Sequence, residues 1–198
     1  MTIKTASKQR GVASIEFPFV VVGIMVIVFG LVSIYRLMYT QTRLDSTAFM
    51  LADIVARTFD DKGSTAGLTL DELIDEQFVG TELRTIAQRM LPTGIASENV
   101  GLKLEIRRHN PVSGDIKSAQ RTAGANCTVA SSIESLSGLA PKSERDERAL
   151  KGRTATLVQA TLCVENPFSL DSQFELTGLV LPSRLTSKAV MIGGRYAL

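Results

Sequence analysis

The chain is poor in the residues from which most metal sites and catalytic centres are built. Among its 198 residues there are one histidine, His109, two cysteines and no tryptophan. A zinc site draws on several Cys, His or acidic ligands at short spacings, so we expect no site built from Cys and His. The sequence also has no glycine-rich phosphate loop and no nucleophile elbow. We therefore expect a protein that is not an enzyme and that needs no cofactor or metal.

Positive charge is scarce outside the first eleven residues. The formal net charge is +2, from 22 basic and 20 acidic residues. Lys4, Lys8 and Arg10 all precede Gly11, so the chain from residue 12 onward has 19 basic against 20 acidic residues, a net charge of −1. Nucleic-acid-binding domains carry a basic patch that neutralises phosphates. The remainder of this chain has none, and we expect no nucleic-acid partner.

The chain does have one long apolar run. From Phe17 to Tyr35, nineteen consecutive residues carry no charge. At about 1.5 Å per residue, a helix of this length crosses a hydrocarbon core of about 30 Å. Glu16 stands at the edge of the run, where burying a carboxylate costs roughly a few kcal/mol and marks a candidate functional site. A position in the lipid headgroup region is the other explanation for Glu16.

The residues on either side of the run predict whether it is retained in the mature protein and how it is oriented in the membrane. The run is longer than the apolar core of a secretory signal, about 7 to 15 residues, and no cleavage pattern follows it. We therefore expect it to remain in the mature protein as a single membrane span. Positive residues ahead of it favour a cytoplasmic N-terminus, although Arg36 and Arg43 on the other side weaken this bias.

A helical pattern continues past the apolar run. Apolar residues recur there at three- and four-residue steps, which predicts a helix with one apolar stripe. The stripe consists of Leu44, Ala48, Leu51, Val55 and Phe59. We expect one long helix over residues 14–59. We assign residues 12–35 to the transmembrane segment and residues 36–59 to an amphipathic extension.

Residues 60–198 have the pattern of one α+β domain. A capping box, Thr69 with Glu72, predicts a second helix, in which Gly80 is a candidate break. Alternating polarity predicts strands of an antiparallel sheet. The strands with this pattern are residues 102–107 and 155–165. Residues 116–122 follow a turn and are expected to form the second strand of a hairpin, and the β-compatible residues 185–192 to add the last strand. The serine-rich and charged stretch 131–148 is expected to form a solvated loop or a short exposed helix, with a partner-docking surface as the alternative.

The two cysteines, Cys127 and Cys163, both lie in this domain. An even pair beyond a membrane anchor suits an oxidising compartment. A disulfide that closes a loop of this size stabilises by about 3 to 4 kcal/mol. Two unpaired buried thiols are the alternative. We expect the domain to be extracytoplasmic.

The residues around Glu16 resemble a prepilin processing site. A basic leader ends at Gly11, and the glutamate is fifth after the glycine, counting from Val12. In prepilins a membrane-embedded peptidase cuts after such a glycine, and the glutamate occupies the fifth mature position. The Glu16-Phe17 pair, the single long helix and the modest mixed domain are most similar to the tight-adherence (Tad/Flp) pilus pseudopilins of the TadE and TadF kind.

This resemblance implies residue roles and a pilin-like α+β fold. Gly11 would be the last residue of a leader spanning residues 1–11, Val12 the new N-terminus and Glu16 the assembly carboxylate. Cleavage leaves an ammonium group at Val12 in an apolar setting, and the Glu16 of a neighbouring subunit would compensate that charge. Pro18 departs from an ideal helix at this place, because it removes a helical donor.

The resemblance also implies partners and a location. The partners are a prepilin peptidase, a companion pseudopilin, the major Flp-type pilin and the inner-membrane assembly platform. The protein would be a minor pilin of the bacterial inner membrane, with a cytoplasmic N-terminus before cleavage and a periplasmic C-terminal domain, and it would later enter an extracellular pilus. The alternative is an unprocessed, signal-anchored periplasmic binding or sensor module, which predicts that Glu16 is dispensable.

Overall fold

A helix of 50 residues, α1 (Ala13–Lys62), makes up the N-terminal part of the protein. The computed structural model describes residues 13–62, 74–75, 78–109, 115–128, 131–142, 154–167 and 182–193. At about 1.5 Å per residue, α1 is about 75 Å long. The predicted long helix is confirmed, and it begins one residue before and ends three residues after the predicted bounds.

Four strands form one antiparallel sheet in the order β2-β1-β3-β4. The strands are β1 (Val100–His109), β2 (Ile116–Gly124), β3 (Leu157–Glu165) and β4 (Arg184–Ile192). Each of them contains one of the four strands expected from the sequence, or nearly all of it. Together with α1, the sheet gives the predicted α+β architecture.

One face of the sheet, the core face, carries the main apolar core. Leu102, Leu104 and Ile106 alternate along β1, and all three are buried. Alternation puts every second side chain on the same face, and the register places Leu104 opposite Ala160 of β3. Further members of this core from β3 and β4 are Val158, Leu162, Val164 and Leu185.

The C-terminal half of α1 packs on this face, mainly against β3 and β4. The first four residues of the predicted stripe are fully buried there: Leu44, Ala48, Leu51 and Val55. Each fully buried leucine contributes about 2 kcal/mol of transfer free energy. The fifth, Phe59, has a side chain outside the described residues. The buried Thr47 is satisfied locally, because its Oγ1 donates to the carbonyl of Arg43 at 2.7 Å.

A π-helical turn and a short helix complete the cover of the core face. The turn spans Phe78–Leu83 and continues into α2 (Arg84–Met90). Their buried residues in the same core are Val79, Leu83 and Ala87. The predicted capping box, Thr69 with Glu72, lies outside the described residues. Gly80, the predicted break, falls inside the π-helical turn, so regular α-helix begins only after it.

Two glycines allow β1 and β2 to meet closely at their shared end. Gly124 has φ +81°, a backbone conformation that costs glycine little and other residues more. A Cβ added to Gly101 would lie 2.2 Å from the carbonyl oxygen of Ala125. The Ala125 N–H donates to the carbonyl of Val100 at 3.2 Å. This close approach directs the chain after β2 toward Cys127.

Candidate functional site

Glu16 lies in the first turn of α1, and its side chain is exposed. A carboxylate in the first turn is favoured by the positive end of the helix dipole, by about 0.3 to 1 kcal/mol. The predicted processing residues Gly11 and Val12 lie outside the described residues. The candidate assembly carboxylate therefore stands at the start of the helix, directly ahead of the apolar run.

α1 continues through Pro18 without interruption. Proline has no N–H, so the carbonyl four residues earlier, at Ser14, loses its helical donor. The helix extends on both sides of this position, which confines the loss to one hydrogen bond near the helix start. The departure from an ideal sequence therefore leaves the helix that carries Glu16 unbroken.

The first half of α1 presents an apolar surface to its surroundings. By length and composition this helix is able to cross a membrane, and only 6% of its most apolar window is buried within the chain. Large exposed apolar side chains extend from Phe17 to Tyr39, a length of about 34 Å. Monomers in water rarely expose a continuous apolar patch of this size. Such a surface is compatible with lipid or other helices around it.

A second exposed apolar surface, the distal patch, lies further along α1. It consists of Phe49, Met50 and Ile54, which are 56%, 46% and 37% exposed. The first of them is ten residues, or about 15 Å, beyond Tyr39. The periodicity of the sequence identified only the stripe that faces the sheet. In the sequence, the signal for the distal patch is the presence of large apolar residues outside that stripe.

Cys127 and Cys163 form a disulfide, with their Cα atoms 5.5 Å apart. The two residues are 4% and 0% exposed. Cys163 belongs to β3 but points away from the core face, as alternation with its neighbours requires. The bond therefore ties the chain after β2 to the opposite face of the sheet, which we call the covered face.

A segment between the two cysteines lies over the covered face. This cover segment, residues 131–142, contains a short 3-10 helix, Ile133–Leu139. Ile133 is buried with Ala140 and Leu157 in a small separate core, and Lys142 pairs with Thr154 just before β3. The expected short helix is present, but it is docked through one apolar side. Residues 143–148 of the predicted loop lie outside the described residues.

A buried carboxylate, Glu105, lies beneath the cover segment and is 2% exposed. Its Oε1 is 3.1 Å from Lys103 Nζ and accepts a hydrogen bond from Ser132 Oγ at 3.2 Å. Its Oε2 accepts from Gln159 Nε2 at 2.8 Å. Alternating polarity puts Glu105 on the polar side of β1, opposite the core face. The cover segment buries this side as well.

These contacts indicate a structural role for Glu105. A buried carboxylate is costly unless donors and an opposite charge surround it, and here both oxygens already have partners. Within the described ranges, no group of three or more His, Cys, Asp or Glu is placed to hold a metal ion. The exposed surface of α1 is therefore the main candidate for interaction.

A family model matches almost the entire chain. Its description is "Putative tight adherence pilin protein F", abbreviated TadF, and it matches residues 4–193. The chain belongs to the TadF family. No curated protein and no solved structure matches it.

Membership in the TadF family narrows the resemblance noted in the sequence. That resemblance rested on about thirty N-terminal residues and left the TadE and TadF kinds open, whereas the TadF match includes α1 and all four strands. The family points to a pilin-like, structural component of a Tad pilus and to membrane and pilus partners in general. This agrees with an apolar helix surface that the chain itself leaves exposed.

Proposed function

We propose that this TadF-family chain is a minor pilin, or pseudopilin, of a tight-adherence type IV pilus. A prepilin peptidase cuts it after Gly11, and the mature chain begins at Val12. Before assembly it resides in the bacterial inner membrane as a single-pass protein with its C-terminal domain in the periplasm. From there α1 inserts into a pilus or a pilus-initiating complex, where the protein acts as a structural subunit and not as an enzyme.

The observation that carries this proposal is the extent of the exposed apolar surface on α1. A bilayer core of about 30 Å accommodates about 20 helical residues, which is enough for the run that begins at Phe17. It does not reach the distal patch, of which Phe49 is 56% exposed. A membrane anchor alone has no use for apolar residues there. A neighbouring helix in an assembly covers both surfaces.

The charge at the helix start supports the same proposal. Cleavage after Gly11 creates an ammonium group at Val12, four residues before Glu16 in the sequence and shortly ahead of the apolar run. Among packed helices these opposite charges compensate each other, either within one subunit or between neighbours, and an uncompensated charge there is costly. The partners in this proposal are the peptidase, a companion pseudopilin, the major Flp-type pilin and the inner-membrane assembly platform.

The mature N-terminus tests the proposal directly. Mass spectrometry of the membrane-bound protein, expressed with a prepilin peptidase, is expected to show a chain that starts at Val12. Gly11→Ala is expected to leave the leader in place. Gly23→Ala is the matched control, because a Cβ at Gly23 meets nothing within 4 Å and should leave cleavage unchanged. A wild-type chain that still begins at Met1 would refute the pseudopilin assignment.

A binding module is the second candidate function, and one observation favours it. An open recess of about 640 Å³ lies along β2 and the chain that follows it, with Lys103, Thr122, Asn126 and Thr128 in its lining. Its volume is within the usual range for ligand sites, which is about 300 to 1,000 Å³, but such sites are mostly apolar. This candidate predicts an uncleaved N-terminus and full function of a Glu16→Gln variant, so the same mass measurement separates the two.

A further inference from the structure

Two tyrosines and an arginine form a ladder on α1 at the place where the apolar run ends. The rings of Tyr35 and Tyr39 are stacked, with centroids 6.3 Å apart and planes inclined by 17°. Arg43 continues the ladder, since its Cζ lies 5.4 Å from the centroid of the Tyr39 ring and its Nε donates to the Tyr39 hydroxyl at 3.2 Å. The three residues are four apart, so they occupy one side of the helix.

The ladder faces away from the folded domain. Tyr35 and Tyr39 are 69% and 43% exposed, whereas Leu44 and the rest of the buried stripe occupy the opposite side of α1 and contact the sheet. Arg36, which is also exposed, is seven residues from Arg43 and so projects from nearly the same side as it. The ladder and Arg36 together form a surface of aromatic rings, hydroxyls and two guanidinium groups.

The position of the ladder along α1 matches the outer boundary of a membrane. Tyr35 is nineteen residues from Glu16, which is about 28 Å of helix. A hydrocarbon core is about 30 Å thick, so a helix with Glu16 at one boundary presents Tyr35 at the other. Tyrosine is enriched at this depth, because its ring is apolar and its hydroxyl is polar.

We propose that Tyr35, Tyr39, Arg36 and Arg43 form a phospholipid-headgroup belt that fixes the depth of the unassembled subunit in the membrane. The plane of the lipid phosphates lies between Tyr35 and Arg43, and the guanidinium groups bind phosphate oxygens, for which their planar fork is suited. This inference rests on the membrane-anchored state in the proposed function. Lipid is favoured over a second copy of this face, because two arginines repel the same pair on another chain but attract phosphates.

The belt also determines where the folded domain lies. Leu37, two residues after Tyr35, already packs against the main core, and Gln41 Nε2 donates to the carbonyl of Thr186 at 3.5 Å. No free linker therefore separates the headgroup belt from the domain. A helix held at this depth places the start of β4 directly above the membrane surface.

Fluorescence quenching tests the depth, because the chain has no tryptophan and one introduced tryptophan is a unique probe. The full chain is reconstituted in phosphatidylcholine–phosphatidylglycerol vesicles whose acyl chains are brominated either near the headgroup or near the methyl end. Met25→Trp, midway between Glu16 and Tyr35, is expected to be quenched most by the deep bromines. Tyr39→Trp is expected to show the inverted ratio, and Phe49→Trp is expected to be quenched by neither.

The possible outcomes distinguish the proposed headgroup belt from the membrane insertion of α1 on which it rests. A Met25→Trp probe that no bromine quenches shows that the helix does not insert, which overturns the anchored state and the belt with it. With Met25→Trp quenched, a Tyr39→Trp probe that behaves like Met25→Trp or like Phe49→Trp overturns the belt alone. Either result places the headgroup plane elsewhere on α1.

The arginines have their own test. In the Tyr39→Trp background, changing Arg36 and Arg43 together to Gln is expected to reduce quenching by the shallow bromines. Arg57→Gln is the control, since Arg57 is an exposed arginine on α1 that pairs with Asp53 at 2.9 Å and lies beyond the belt. An unchanged ratio in the double variant would show that phosphate contacts do not set the depth.

Discussion

Gln159 and Glu105 face each other across β3 and β1, and the Gln159 amide donates to the Glu105 carboxylate at 2.8 Å. Gln159 is fully buried, and its amide also donates to the carbonyl of Ser131 at 3.3 Å. Ser132 Oγ, from the cover segment, donates to the same carboxylate. The covered face is therefore held by a buried polar network beside a disulfide, whereas the core face is held by apolar packing.

Replacement of Glu105 tests how much this network contributes to the free energy of unfolding. Glu105→Ala is expected to lower the free energy of unfolding by about 3 to 5 kcal/mol, because it removes both the counter-charge of Lys103 and the acceptor of the buried Gln159 amide. Glu105→Gln keeps a hydrogen-bond acceptor and should cost less. Denaturant unfolding of the detergent-solubilised chain provides the measurement.

The control for this network is Glu134→Ala. Glu134 is exposed and accepts a surface hydrogen bond from Ser118 Oγ at 3.2 Å. Its loss should change stability by less than about 1 kcal/mol. Equal effects of the Glu105→Ala and Glu134→Ala variants would show that the buried network contributes no more than a surface contact.

Removal of the disulfide is expected to weaken the domain by a similar amount. Cys127 and Cys163 are 36 residues apart in sequence, and a cross-link of this span stabilises by about 3 to 4 kcal/mol in the chain-entropy treatment. Changing both residues to Ser should therefore lower the unfolding midpoint. Reductant should lower the midpoint of the wild type and leave that of the double variant unchanged. A wild type that is insensitive to reductant would contradict the structural role of this bond.

The sequence predicted the elements whose signal is local. The three- and four-residue steps from Leu44 to Val55 identify the stripe on α1, because a helix repeats its faces at that period. The alternation from Leu102 to Ile106 identifies β1 for the same kind of reason. The resemblance around Gly11 and Glu16 identified the kind of protein, and the TadF match carries that identification across the domain.

The covered face could not be predicted in the same way. Glu105 has the sequence environment of a solvent-facing strand residue, and what buries it lies about 27 residues away at Ser132. On the same face of the sheet lie the disulfide and the small core of Ile133, Ala140 and Leu157. Such contacts produce no periodic pattern in the sequence, because residues that are distant in sequence have no fixed spacing.

A single methyl group tests the close approach of β1 and β2. Gly101→Ala is expected to destabilise the domain by about 1 to 3 kcal/mol, because its Cβ would meet the Ala125 carbonyl oxygen at 2.2 Å and the backbone must move. Gly138→Ala is the matched control, since a Cβ there meets nothing within 4 Å. The unfolding midpoints of the two variants provide the comparison. A Gly101→Ala variant as stable as Gly138→Ala would show that the backbone after β2 can move aside without a loss of stability.

The last prediction concerns Glu16, the residue that distinguishes an assembly helix from a plain anchor. Glu16→Gln removes the charge but keeps the size of the side chain, which is exposed in the first turn of α1. Because the proposed cleavage site is at Gly11 and not at Glu16, the variant should still mature to Val12 and remain in the membrane. We expect pilus formation to be lost, because the ammonium group at Val12 then enters a helix bundle without a compensating carboxylate, at a cost of several kcal/mol.

Asp45→Asn is the matched control for Glu16→Gln. Asp45 is also an exposed carboxylate on α1, where it accepts a hydrogen bond from Gln41 Nε2 at 3.1 Å, but it lies far from the helix start. This variant should form pili normally. Electron microscopy counts the pili, and mass spectrometry confirms the N-terminus of each variant. Normal piliation by a correctly processed Glu16→Gln chain would show that the carboxylate is not needed in assembly, which leaves α1 as an anchor whose distal patch requires another partner.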